Sequence, residues 1–232
     1  MKIIAAIDLM GGKVVRLSKG DPLTKKIYSD NPYQVAQMWE NQGADMIQFV
    51  DLDAALGLGS NLLTIKNTIK KLHTPTLIAG GLRNEQLIND ALSISSYIIL
   101  GTIPFTNKKL LSKFIHNKNQ IIISVDQVSN NIVIEGWKKN TTIKLIDGVN
   151  NFISLGFSNF LLTNVEKDGM LQGIEIHTFS EICKIDSINV FAAGGISNTS
   201  DIMNLKKIHV YAVVLGKSLY EGILDISSVK KI

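Results

Sequence analysis

Ile3-Ile4-Ala5-Ala6-Ile7-Asp8 is an apolar run long enough for one buried strand, closed by a single carboxylate. Near mid-chain the pattern returns as Ile121-Ile122-Ile123-Ser124-Val125-Asp126, again rich in β-branched residues and again ended by Asp. A strand without polar alternation belongs in a parallel sheet whose two faces are both covered by helices. The terminal Asp of each run then stands at the C-terminal rim. In a closed barrel of parallel strands, that rim is where chemistry is placed.

Outward from the first run, Met10-Gly11-Gly12-Lys13 reads as a turn into a short strand pair at Val14-Val15-Arg16-Leu17, and Gly20-Asp21-Pro22 opens a polar loop. Asn31-Pro32 starts a helix that closes at Gly43. Strands are expected at 46–50, 76–79 and 97–100, and helices at 61–72 (capped by Asn61), 84–93 and 107–115. In the second half, strand 121–126 is followed by a strand-like decoration at 132–137 and a helix over 142–155 that stops at Gly156. Strand 160–163, a long loop over 164–173, a helix to about Lys184, strand 190–193, a helix from Asn198 and strand 211–215 complete eight strand-helix units.

The two halves echo each other. Asp8 and Asp126 are 118 positions apart, Asp53 and Asp168 are 115, Gly80 and Gly194 are 114, and Gly101 and Gly216 are 115. An offset near half the chain implies two four-unit halves, about 1–118 and 119–232, rather than a solenoid, whose repeats run to roughly 20–50 residues. The reading is α/β: a single (β/α)8 TIM barrel domain over 1–232 with a half-barrel repeat.

Composition agrees. A chain of 232 residues suits one barrel of this class, which needs roughly 200–250. Apolar residues at 45% and charged ones at 19% exclude disorder. The net charge of +4 suits an anionic ligand, but only short pairs such as Lys70-Lys71 and Lys138-Lys139 appear, so no nucleic-acid partner is expected. The single Cys183 allows no intramolecular disulfide, and with no secretory signal or membrane-length apolar run the expected setting is cytoplasmic, away from membranes. A monomer is expected.

Gly80-Gly81 and Gly194-Gly195 each fall at a strand end, and each is followed one unit later by a second strand-end glycine, Gly101 or Gly216. Glycine lets backbone N–H groups approach an anion closely, so these positions point to two phosphate sites, one per half. Asp8 and Asp126, a symmetric pair between those sites, read as a general acid and base. Arg16 and Arg83 are candidates to clamp an anionic substrate, Trp137 to stack on a ring and Thr163 to hydrogen-bond it. His73, His116, His177 and His209 fall in helices or helix-to-strand turns on the expected opposite rim, which argues against a metal or a Ser/His nucleophile.

The residues quoted above, with Val50-Asp51-Leu52-Asp53-Ala54-Ala55, Gly80-Gly81-Leu82-Arg83, Gly136-Trp137, Asp168-Gly169-Met170-Leu171-Gln172-Gly173 and Gly216-Lys217-Ser218-Leu219-Tyr220-Glu221-Gly222, resemble the ProFAR isomerase family of histidine biosynthesis over essentially the whole chain. That resemblance implies an Amadori rearrangement of an aminoaldose bisphosphate to the aminoketose, with no cofactor and no metal. It implies Asp8 as proton acceptor at the sugar C2 and Asp126 as proton donor to the furanose ring. Arg16, Arg83, Trp137, Thr163 and Asp168 would position the substrate. Gly81, Gly101 and Thr102 would hold one phosphate, and Gly169, Gly195, Gly216 and Lys217 the other.

The chain departs from the family pattern at Ala5 (usually Pro), at Ala79 and Ala193 (usually Gly), and at Gln48 (usually His), whose amide can hydrogen-bond but carries no charge. The cyclase subunit of imidazole glycerol phosphate synthase also uses two strand-end aspartates, but Arg16-Leu17 and Gly136-Trp137 look like the isomerase. A dual-substrate isomerase acting also on phosphoribosylanthranilate and a non-catalytic phosphoester-binding barrel are the remaining alternatives.

Overall fold

The computed structural model describes all residues from Met1 to Ile232. Strand β1 (Lys2–Met10) turns back through Gly11-Gly12 into β2 (Lys13–Ser18) and β3 (Asp21–Ser29), and α1 (Pro32–Asn41) leads to β4 (Met46–Asp51). The short α2 (Leu52–Leu56) and α3 (Leu62–Ile69) precede β5 (Thr76–Ala79), and α4 (Glu85–Ile94) precedes β6 (Tyr97–Leu100). The short α5 (Ile103–Thr106) and α6 (Lys108–Ser112) lead to β7 (Ile121–Ser124). Then come β8 (Gln127–Val128), β9 (Asn131–Ile134), β10 (Lys139–Lys144), α7 (Leu145–Ser154), β11 (Asn159–Thr163), α8 (Ile176–Cys183) and β12 (Asn189–Ala193). The chain ends with α9 (Thr199–Lys207), β13 (Ala212–Leu215), α10 (Lys217–Tyr220) and α11 (Ile226–Val229).

Eight strands close on themselves in the order β1-β4-β5-β6-β7-β11-β12-β13, with β13 returning to pair with β1, all in parallel. This is the (β/α)8 barrel. No helix is long and apolar enough to cross a membrane. The unbroken apolar runs divide their residues between two cores. Ile3, Ala5 and Ile7 face outward into the layer beneath the helices, while Ile4 and Ala6 join Met46, Leu77, Ile122 and Phe191 inside the barrel. Alternation is therefore present in direction but absent in polarity, because both destinations are dry.

Several local expectations need correction. The segment after Gly20 is a strand, β3, paired antiparallel with β2, rather than a polar loop. Pro22 and three exposed Lys or Thr side chains are tolerated there because β3 is an edge strand that needs hydrogen bonds on one side only. The helix expected at 107–115 is shortened to α6, which Asn107 caps by accepting from the Leu110 N–H at 2.9 Å and which ends at Ser112, a 3-10 turn following from Ile115. The helix expected from Thr142 begins at Leu145, because residues 139–144 pair with β9 as strand β10. Strand β7 stops at Ser124, leaving Val125 and Asp126 beyond it, and the strand expected at 132–137 ends at Ile134.

Asn61 precedes α3 without capping it through its side chain. Its amide oxygen instead accepts from the Gly12 N–H at 2.9 Å, and its amide nitrogen donates to Asp51 and Asp53, each at 2.8 Å. Of the histidines, His177 lies in the first turn of α8, which follows a barrel strand and so starts at the C-terminal rim; the other three precede β5, β7 and β13.

Candidate active site

The C-terminal mouth of the barrel encloses a cavity of about 280 Å³. Its depth comes from the inward positions of the last strand layer. Ala6, Ala79 and Ala193 carry too little volume to fill the lumen there, whereas Phe191 and Met46 plug it below. All fourteen residues singled out in the sequence line this one cavity. Strand order sets their arrangement: β1 and β7 stand four strands apart, so Asp8 and Asp126 approach from opposite walls. Gly81, Gly101 and Thr102 follow β5 and β6, whereas Gly195, Gly216 and Lys217 follow β12 and β13, again opposite walls, along a crossed axis.

Asp8 points inward from β1, and β2 returns beside it in the register Asp8 with Val15. Arg16 thereby reaches the carboxylate, Nη1 to Oδ2 at 2.7 Å, with about a tenth of either side chain exposed. Burial raises the Asp8 pKa to about 6; Arg16 pulls it down and Asp168 pushes it up. Asp126 is raised too, mainly by burial, against hydrogen bonds from Trp137, Thr163 and Ser124 that favour its ionised form. Trp137 Nε1 donates to one carboxylate oxygen at 2.9 Å and the Ser124 hydroxyl to the other at 2.8 Å. Asp168 is raised by burial, with Arg16 and Lys217 opposing.

Two decorations meet over the mouth. Glu135, Gly136 and Trp137 all have positive φ, at 59°, 65° and 68°, which throws the indole back toward the barrel at the end of β9. Its ring lies so close to Gly20, between β2 and β3, that a Cβ there would sit 2.8 Å from it. The Lys19 N–H donates to the Asp168 carbonyl at 3.3 Å, joining the same hairpin to the loop after β11. Thr102 Oγ1 accepts from the Glu135 N–H at 3.0 Å.

The glycines have a local cause as well as a candidate ligand. Gly80 and Gly81 have φ of 94° and 69°, and a Cβ on Gly81 would meet Ala54 Cβ at 2.3 Å. At Gly195, with φ 83°, the obstacle would be the Gly173 carbonyl oxygen at 2.6 Å. Gly169 approaches the Leu17 carbonyl in the same way, and Gly216 lies against the Arg16 guanidinium. Close approach of neighbouring loops thus requires glycine at 81, 169 and 195, whereas at Gly216 the obstacle is a side-chain end, and glycine N–H groups at such strand ends suit an anion. Lys217 Nζ donates to the Gly169 carbonyl at 2.9 Å, which holds its charge at the mouth; exposed Arg83 donates to the Ala55 carbonyl.

The model of the family described as histidine biosynthesis protein matches residues 2–225. The chain belongs to the histidine biosynthesis protein family. A relative from Nitrosopumilus maritimus is 46% identical over all of this chain and 99% of its own length, and is named 1-(5-phosphoribosyl)-5-((5-phosphoribosylamino)methylideneamino) imidazole-4-carboxamide isomerase, that is, ProFAR isomerase. Relatives from Cenarchaeum symbiosum, 43% identical over 96% of each chain, and Halothermothrix orenii, 35% identical over 97% of each, carry the same name.

Two features of this family member's site were not anticipated. Ser124, which holds Asp126, lies two residues before it and so shares its inward face, a relation the strand period contains. The network of Asp51, Asp53 and Asn61 fixes the turn at Gly11 and Gly12, with Asp53 accepting from the Gly11 N–H at 2.6 Å. No sequence spacing signals that network, since it joins residues 42–52 positions apart.

Proposed function

We propose that this chain is the ProFAR isomerase of histidine biosynthesis, converting the aminoaldose to the aminoketose with Asp8 as general base and Asp126 as general acid. The observation that carries the residue assignment is the crossed geometry of the mouth: two largely buried carboxylates on one axis and two glycine-rich rim segments on the other. A bisphosphate spanning the second axis sets its reacting sugar between the first pair. Asp126 gives its proton to the furanose ring oxygen, the C1–O bond breaks, and the nitrogen lone pair forms C1=N. Asp8 then removes the C2 proton, those electrons form C1=C2 as the C1=N π pair returns to nitrogen, and the resulting enolamine takes a proton at C1 and loses the C2 hydroxyl proton to leave the ketone at C2.

The electrostatics support these roles. An Asp8 pKa of about 6 leaves a carboxylate ionised at neutral pH and more basic than an exposed one. Burial lifts Asp126 toward the protonated form an acid needs. Trp137 and Ser124 stabilise the carboxylate left after it has donated. Arg16, Arg83, Thr163 and Asp168 position the substrate, Trp137 stacks on its ring, and the glycines with Thr102 and Lys217 hold its phosphates. The half-barrel repeat, a cytoplasmic setting, and a monomer with a small-molecule bisphosphate substrate and no nucleic-acid or membrane partner go with this reading. The test is purified protein with ProFAR, followed by the absorbance change on isomerisation, with phosphoribosylanthranilate run alongside. Turnover of ProFAR is expected; its absence would overturn the assignment.

A further inference from the structure

Among the polar residues lining the mouth cavity, Ser124 is committed to Asp126, whereas Gln48 has an atom left unpaired. Gln48 points inward from the middle of β4, level with Ala6 on β1 and Leu77 on β5. Only 7% of the residue is exposed, and its Oε1 is withdrawn from solvent with no hydrogen-bond partner. A Leu or Met of similar size would fill this place without the desolvation penalty of an unmade hydrogen bond, so the amide needs an explanation outside packing. Arg16 Nε and Ser218 Oγ are likewise buried and unpaired, and both line the same cavity. Three of the six such side-chain atoms in the molecule thus collect where a ligand would enter.

We propose that Gln48 is a substrate-binding residue, its amide pairing with a hydroxyl of the pentose being rearranged. This rests on the isomerase reading above. With phosphates held at the rim and C2 presented to Asp8, the part of the substrate that reaches deepest is the pentose, and Gln48 lies one layer below Asp8 on the adjacent strand. A sugar hydroxyl both donates and accepts. The terminal torsion of Gln is broad, so the amide turns to offer either its oxygen or its NH2 group. An amide also makes this contact without adding a titrating charge beside Asp8.

The test compares the unaltered protein with Gln48→Leu, which keeps the volume and removes the polar group. With ProFAR as substrate, kcat/KM should fall roughly 10- to 100-fold, the loss expected when a bound hydroxyl is left without its partner. The thermal midpoint of Gln48→Leu should stay level or rise, since the free protein loses an unpaired buried oxygen. Gln48→Asn, with the amide retained on a shorter stem, should recover part of the activity. Full kcat/KM in Gln48→Leu, or a fall in kcat/KM matched by a lowered midpoint and no recovery in Gln48→Asn, would overturn the Gln48 assignment while leaving the isomerase reading intact. No turnover by the unaltered protein would remove both.

Discussion

The proposed roles of Asp8 and Asp126 each make a separable forecast. Asparagine at position 8 or 126 keeps the shape and deletes proton transfer. Turnover should therefore drop by roughly 10²- to 10⁴-fold in Asp8→Asn and in Asp126→Asn, with KM changing much less. Steady-state kinetics on folded variants checks this; near-normal kcat with a lowered thermal midpoint would make the carboxylates structural. The pH dependence follows from Asp8. Its base form is lost below a pKa of about 6, so kcat/KM should fall on the acid side of that value. Arg16 holds this pKa down, so Arg16→Gln should move the acid limb to higher pH as well as weaken binding. The stability consequence has the opposite sense. A carboxyl with a raised folded pKa stabilises the fold fully below its ordinary value of 3.8 and loses that contribution as pH rises through about 6. Melting curves should therefore show Asp8→Asn gaining on the unaltered protein between about pH 4 and pH 7.

The loops after the barrel strands are built by close backbone approach, and two glycines separate conformation from crowding. Gly12 has φ of 74° but nothing within 4 Å of a Cβ position. Gly12→Ala should cost only the left-handed strain, about 1–2 kcal/mol. Gly81 has nearly the same φ, 69°, with Ala54 atoms at 2.3–2.8 Å. Gly81→Ala must also displace the start of α2, so its thermal midpoint should fall well below that of Gly12→Ala; equal losses would mean that the loop yields freely. The short α2 is held by Asp51, which accepts from the Ala54 N–H at 3.0 Å and from Asn61. Elements of this kind serve the rim rather than the core.

The whole molecule sets its two glycine-bearing rim segments across the mouth from each other, and the proposed substrate class depends on both holding an anion. Inorganic phosphate should raise the thermal midpoint in a concentration-dependent way, as any ligand of the folded state does. A substrate with one phosphate forfeits the charge-assisted hydrogen bonds of the other site, roughly 1.5–3 kcal/mol each. The ratio of kcat/KM for ProFAR to that for phosphoribosylanthranilate should accordingly be large. Comparable values would identify a dual-substrate barrel instead.

The chain by itself determined the architecture, because each barrel strand is a short apolar run bounded by turn residues, and eight of them leave few ways to bury so much surface. It also named the rim residues, since a strand end is legible wherever Asp or Gly closes an Ile/Val run: Asp8, Asp126, Gly81 and Gly195 were all readable in this way. Tertiary structure decided what partnerships those residues form. The Asp8 to Arg16 ion pair follows from a hairpin register, and the Trp137 contact with Asp126 follows from three left-handed residues in a row. Asn61, a plausible cap by position, braces the β1–β2 turn because that turn arrives 49 residues away in sequence and next to it in space. Strands β3 and β10 were hidden because an edge strand facing water needs no apolar pattern. Local sequence encodes which groups are dry, whereas pairing across tens of residues is settled only when the barrel closes.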